Sequence, residues 1–213
     1  MNKIRKALIV AALVSFSGTA FGDLVRISSP GAATGYQGLN SAGVSLTEAA
    51  AGTYTFEAGV FSEGFDSAAP FGDWEANFTS VGSATWLTSP PFAAGRFQND
   101  FSVADAALTG EQAFIWGSNS KAIDPASEWV VLTNENWIFP TPNPLALAPS
   151  EENQWSVGDE GTAVFGDMGS LIDANGGNDG FQMTAIPEPS TYALIFGFGV
   201  LGLVIVRRVR AQK

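Results

Sequence analysis

Asp173-Ala-Asn-Gly-Gly-Asn-Asp-Gly180 sets oxygen ligands among glycines in the manner of a calcium loop, with Asp173, Asn175, Asn178 and Asp179 as its candidate ligands. It departs from the D-x-[DN]-x-[DN]-G pattern, because its fifth position is Gly177 and its twelfth is Thr184 rather than a bidentate glutamate. A Gly/Asn turn ahead of the last strand is the plainer expectation. Gly158-Asp-Glu-Gly161 and the pair Glu151-Glu152 could also offer oxygens to a cation, although loop acids are usually only solvated. Six tryptophans are many for 213 residues. Trp74, Trp86, Trp116 and Trp129 stand in apolar surroundings and are expected in the core. Trp137 and Trp155 stand among polar or proline-rich neighbours and are the candidates for stacking on a sugar ring.

Histidine and cysteine are both absent. That removes the Ser-His-Asp triad, imidazole bases, thiol nucleophiles, disulfides and the usual zinc and iron–sulfur ligands. Glycoside hydrolysis needs only two carboxylates about 5 to 10 Å apart, but no pair can be nominated among so many acids, so no enzyme activity is expected. No cofactor is expected beyond the weak calcium option. Asn77-Phe-Thr79 fits a glycosylation acceptor without further support.

Charge divides along the chain. Residues 1–22 carry +3, residues 187–213 carry +3, and residues 23–186 carry −17, with Arg26, Arg96 and Lys121 as their only cations. A body this acidic repels phosphate backbones and anionic lipid, which excludes nucleic-acid binding. Charged residues are only 15% of the chain, so disorder driven by charge is not expected.

The elements that would position these side chains are strands. Thr53 to Val60 alternates, with Tyr54, Phe56, Ala58 and Val60 on one face and Thr53, Thr55 and Glu57 on the other. Further strands are expected at Leu24–Ser28, Trp74–Val81, Ala84–Thr88, Phe97–Val103, Ala113–Trp116, Trp129–Thr133, Thr162–Phe165 and Phe181–Ile186. Clusters such as Ser89-Pro-Pro91 and Asn175-Gly-Gly-Asn178 separate them. Short strands at this spacing predict an all-β fold, a single β-sandwich or jelly-roll-like domain over residues 23–186. Pro140 to Ser150, with four prolines, is expected to be a rigid loop.

Both ends carry addresses. Lys3, Arg5 and Lys6 precede the apolar run Ala7 to Val14 and a small-residue stretch in which Ala20 and Gly22 fit an A-x-A-like site. Residues 1–22 therefore read as a signal peptide handled by the Sec machinery and signal peptidase, with cleavage before Asp23. At the other end Tyr192 to Val206 is uncharged and is followed by Arg207, Arg208, Arg210 and Lys213. Fifteen helical residues cover about 22 Å, a short transmembrane helix with a cytoplasmic basic stop. Gly197-Phe-Gly-Val-Leu-Gly202 matches G-x-G-x-x-G literally, but no βαβ unit can be built around it, so it is not a dinucleotide site.

Pro187-Glu188-Pro189, then Ser190-Thr191, then the apolar run, then the arginines form a tail that resembles a PEP-CTERM sorting signal in type, order and spacing. The resemblance covers residues 187–213. It implies that an exosortase, an integral-membrane thiol transpeptidase-like enzyme of Gram-negative bacteria, cleaves near the tripeptide. The body would then pass from an inner-membrane-anchored precursor to the cell surface or extracellular matrix. It also implies an association with exopolysaccharide, biofilm and floc formation. The plain alternative is a linker into a permanent anchor. For the body, the expectation is a structural, non-enzymatic module; the alternative is a carbohydrate- or calcium-binding adhesive module.

Overall fold

The structure, a computed structural model, describes residues 23–30, 36–50, 52–88, 95–143, 145–158, 161–173 and 176–187, excluding the side chains of residues 170–179. Within these residues the chain is all-β, with one α-helix. Strands β1 (Asp23–Ser28), β2 (Gln37–Leu39) and β3 (Thr55–Phe61) lead into helix α1 (Phe71–Asn77). They are followed by β4 (Phe78–Thr85), β5 (Gln98–Val103), β6 (Gln112–Ser118), β7 (Glu128–Ile138), β8 (Gln154–Ser156), β9 (Thr162–Phe165), β10 (Asp167–Asp173), β11 (Gly176–Gln182) and β12 (Thr184–Ala185).

The largest sheet runs β12-β7-β6-β3-β4, with β9 also paired to β7, and two three-stranded sheets run β5-β1-β8 and β10-β11-β2. None closes into a barrel. The central strands β6 and β7 are buried over continuous runs, Ile115–Ser118 and Trp129–Leu132, because the large sheet is covered on both faces. Strand alternation then sends odd and even positions to different cores. Val130 and Leu132 join Phe56, Ala58, Ala113 and Ile115 in the principal core, which the two small sheets close with Val25, Ile27, Trp155 and Phe181. Trp129 and Val131 join Trp116, Trp74, Phe78 and Ile186 in a second core under α1.

The alternation expected over Thr53 to Val60 holds as far as Ala58, with Tyr54, Phe56 and Ala58 buried; a register shift against β4 then follows at Gly59, and Val60 is half-buried. Thr162–Phe165 is a strand over those same residues. Three expectations are corrected. Trp74 lies in α1, and a strand starts only at Phe78, because Pro70 opens about two helical turns, too short to print a helical period on the sequence. Ala84–Thr88 is no separate strand; β4 simply runs on to Thr85. Gly176 to Asn178, expected in a turn, lie in β11, held by antiparallel pairing to β10 and parallel pairing of Gly180–Gln182 to Gln37–Leu39.

Candidate functional site

Two places on the body bring candidate residues together. The first is a recess floored by Trp137 and Trp155. Trp137 sits near the end of β7, beyond a register shift against β6 that falls between the pairs Gln112–Ile138 and Phe114–Thr133. Gln112 fills the widened gap: its side-chain amide donates within 2.6 Å of the Asn134 carbonyl and 3.0 Å of the Trp137 carbonyl. Trp155 enters from β8, paired parallel to β1 opposite Ile27. Just before β8, a 3-10 turn spans Glu151–Asn153, and Asn153 Nδ2 donates to Asp23 Oδ2 at 2.9 Å, tying the turn to the start of β1.

The result is a cavity of about 300 Å³ lined by Asn136, Trp137, Glu151, Glu152, Gln154 and Trp155, together with Ser156. That volume is at the small end of the range for small-molecule sites. The expectation of exposed stacking platforms is corrected. Trp137 and Trp155 are only 4% and 1% exposed, because strand alternation turns both rings into the principal core, where Trp155 packs edge-on to Phe139 at 5.0 Å. Both residues line the recess, and the Trp155 indole N–H is buried without a hydrogen-bond partner. The carboxylates at the rim are those noted in the sequence as a pair. Gln112 carried no sequence signal, since its role exists only once the register shift is formed.

Of the candidate calcium ligands, Asp173, Asn178 and Asp179 are described by their backbone alone. Asp173 pairs with Gly176, Asn178 with Leu171, and Asp179 with Ser170, while Asn175 lies outside the described residues. By strand alternation, positions 173 and 178 fall on one face of the β10–β11 ribbon and position 179 on the other. Among the residues whose side chains are described, which do not include 170–179, no group of three or more acidic, histidine or cysteine side chains could hold a metal ion.

The second place is where the chain leaves the body. Ala185 pairs with Glu128 in β12, the Ile186 N–H donates to the Ser127 carbonyl at 2.9 Å, and the Ile186 side chain is 1% exposed within the second core. Pro187 follows directly and lines a groove of about 560 Å³ with Ala68, Ala69, Pro70, Phe71 and Ile123. The last firmly packed residue of the body and the first residue of the Pro-Glu-Pro tripeptide are therefore neighbours.

Comparison with protein families finds one match: residues 185–210 fit the family model of the PEP-CTERM protein-sorting motif. The tail is a PEP-CTERM sorting motif. The match begins two residues ahead of Pro187, so Ala185 and Ile186 belong both to the motif and to the folded body. Glu188, Pro189, Arg207, Arg208 and Arg210 lie outside the described residues, as do Ala20 and Gly22 at the other end. Among the described residues no helix is long and apolar enough to cross a membrane. Neither the curated proteins nor the solved structures contain a match to this chain.

Proposed function

We propose that this chain is an exported structural protein that an exosortase sorts through its tail to the surface or extracellular matrix of a Gram-negative bacterium. The observation that carries the reading is the sorting motif at residues 185–210, joined without a linker to an all-β body. A motif of this kind implies a membrane-anchored precursor and processing by a membrane protease. The acidic, histidine-free and cysteine-free body supports a sandwich-like, non-enzymatic module living among exopolysaccharide, as in biofilm.

The test is the intact mass of the native protein from its own cells, fractionated into inner membrane, outer membrane and medium. A species starting near Asp23, ending close to Pro187 and found outside the inner membrane is the expected result. A species that keeps Tyr192 to Lys213 and stays in the inner membrane would leave a permanently anchored protein instead.

The Trp137–Trp155 recess favours one second reading, a body that also holds a short glycan. Carboxylates and amides lining the recess beside the two tryptophans suit a polyhydroxylated ligand. This reading expects glycan fragments to quench tryptophan emission, and Glu152→Ala to weaken the quenching; emission indifferent to every glycan tried would leave only the structural role.

A further inference from the structure

The groove beside Pro187 has walls that are already built. Phe71 is fixed edge-on against Phe165 at 4.9 Å and Trp129 at 5.8 Å. The loop ahead of it is tied by Ala68 N–H to Asp66 Oδ1 at 2.9 Å and by Trp74 Nε1–H to the Ala69 carbonyl at 3.1 Å. The lining is largely apolar, and Ala68 and Pro70 are exposed. An apolar groove on a body of net charge −17 is a poor seat for an anionic lipid surface.

Its position says what does reach it. Because Ile186 is locked in the second core, the tripeptide has no slack at its body end. Pro189 lies two residues beyond Pro187, about 7 Å at full extension, and the apolar run begins at Tyr192, about 18 Å away. Whatever reads Pro187, Glu188 and Pro189 must come within those distances of the groove, from the membrane side.

We propose that the groove is the body's half of a composite recognition surface, in which the membrane-embedded sorting protease seats apolar side chains against Phe71, Pro70 and Ile123 while it reads the tripeptide. This rests on the sorting reading given above. The protease thus recognises a folded substrate together with its peptide.

Gly72 allows a direct test. It lines the groove in α1, and a Cβ built there meets nothing within 4 Å, so a larger side chain is accommodated beside the groove without disturbing the core and improves helix propensity. Gly72→Arg and Gly72→Glu add bulk of opposite charge, Ala68→Arg adds it from the loop, and Gly72→Ala is the control. C-terminal processing of each full-length precursor is followed by pulse-chase and mass in the native cells, with thermal melting of the purified protein as the check on folding. Melting unchanged, with processing slowed at least about tenfold in all three blocking variants and normal in Gly72→Ala, is expected for an occluded interface pocket. Wild-type rates in the blocking variants, while Glu188→Ala stays unprocessed, would overturn the groove and leave the motif reading intact. Slowing in the arginine variants alone would overturn the seat and assign the effect to charge. Normal processing of Glu188→Ala would instead strike at the sorting reading itself.

Discussion

Glu128 serves three donors through one carboxylate: Tyr54 Oη–H at 2.6 Å, the Ser41 N–H at 2.9 Å and the Ser41 hydroxyl. Its backbone meanwhile pairs with Ala185 in β12, so it links the principal core to the chain exit. Glu128→Ala leaves the hydroxyl of Tyr54, a buried residue, without its acceptor, which costs about 1 to 3 kcal/mol and should lower the urea midpoint accordingly. The same pair sets a pH limit. Burial first, and then the neighbouring Glu128 carboxylate, hold the Tyr54 hydroxyl protonated well above the usual phenol range. The unfolded chain releases that proton near pH 10, so this contribution is complete below about pH 10 and is lost as pH rises beyond it. Melting temperature should fall more steeply between pH 9 and 11 in the wild type than in Tyr54→Phe; equal slopes would mean that another group controls alkaline unfolding. Gln112 gives a third residue-scale expectation. Gln112→Ala uncaps the carbonyls that frame Trp137, and should shift tryptophan emission to the red at little cost in secondary structure, measured by fluorescence beside far-UV circular dichroism.

At the scale of elements, β12 is only two residues long and survives because Ile186 behind it is buried with Trp74, Trp116 and Trp129. A body ending after Pro187 should therefore melt like the full chain's body, whereas one ending after Met183 loses the Ile186 anchor and about 2 to 5 kcal/mol, the range for emptying a buried aliphatic site. Equal melting of the two truncations would show that β12 is not load-carrying and that the tail can peel away freely. The sequence announces elements whose own side chains alternate, such as the start of Thr55–Phe61, because one buried face imposes a period of two. It hides those decided by partners. Gly176–Gln182 is poor in strand formers and is a strand through its pairings with β10 and β2; α1 is too short to show a period; and Trp137 turns inward after a register shift that only Gln112 and β6 reveal. The Trp137–Trp155 recess was hidden for the same reason, since its residues come from two strands and a 3-10 turn in different sheets. The tail was legible because its signal is a linear one, with composition and order sufficient to state it.

For the whole molecule, charge is the dominant property. Two of the three body cations are held locally: Arg26 forms a two-point pair with Asp100 across β1 and β5, and Lys121 meets Glu57 at 2.8 Å while lying over Trp116 and Phe78. The remaining carboxylates repel one another across a small surface, which opposes compaction and is screened by salt within about 10 Å at 0.1 M. Raising sodium chloride from 10 to 300 mM should therefore raise the melting temperature, and calcium chloride at matched ionic strength separates screening from binding. The opposite-face register of Asp173 and Asp179 leads us to expect the same rise in both salts. An excess rise in calcium that disappears in Asp173→Asn would instead restore a specific site on the β10–β11 ribbon. The same repulsion keeps copies of the body apart at low ionic strength, so self-association should appear only as salt or multivalent cations screen the carboxylates.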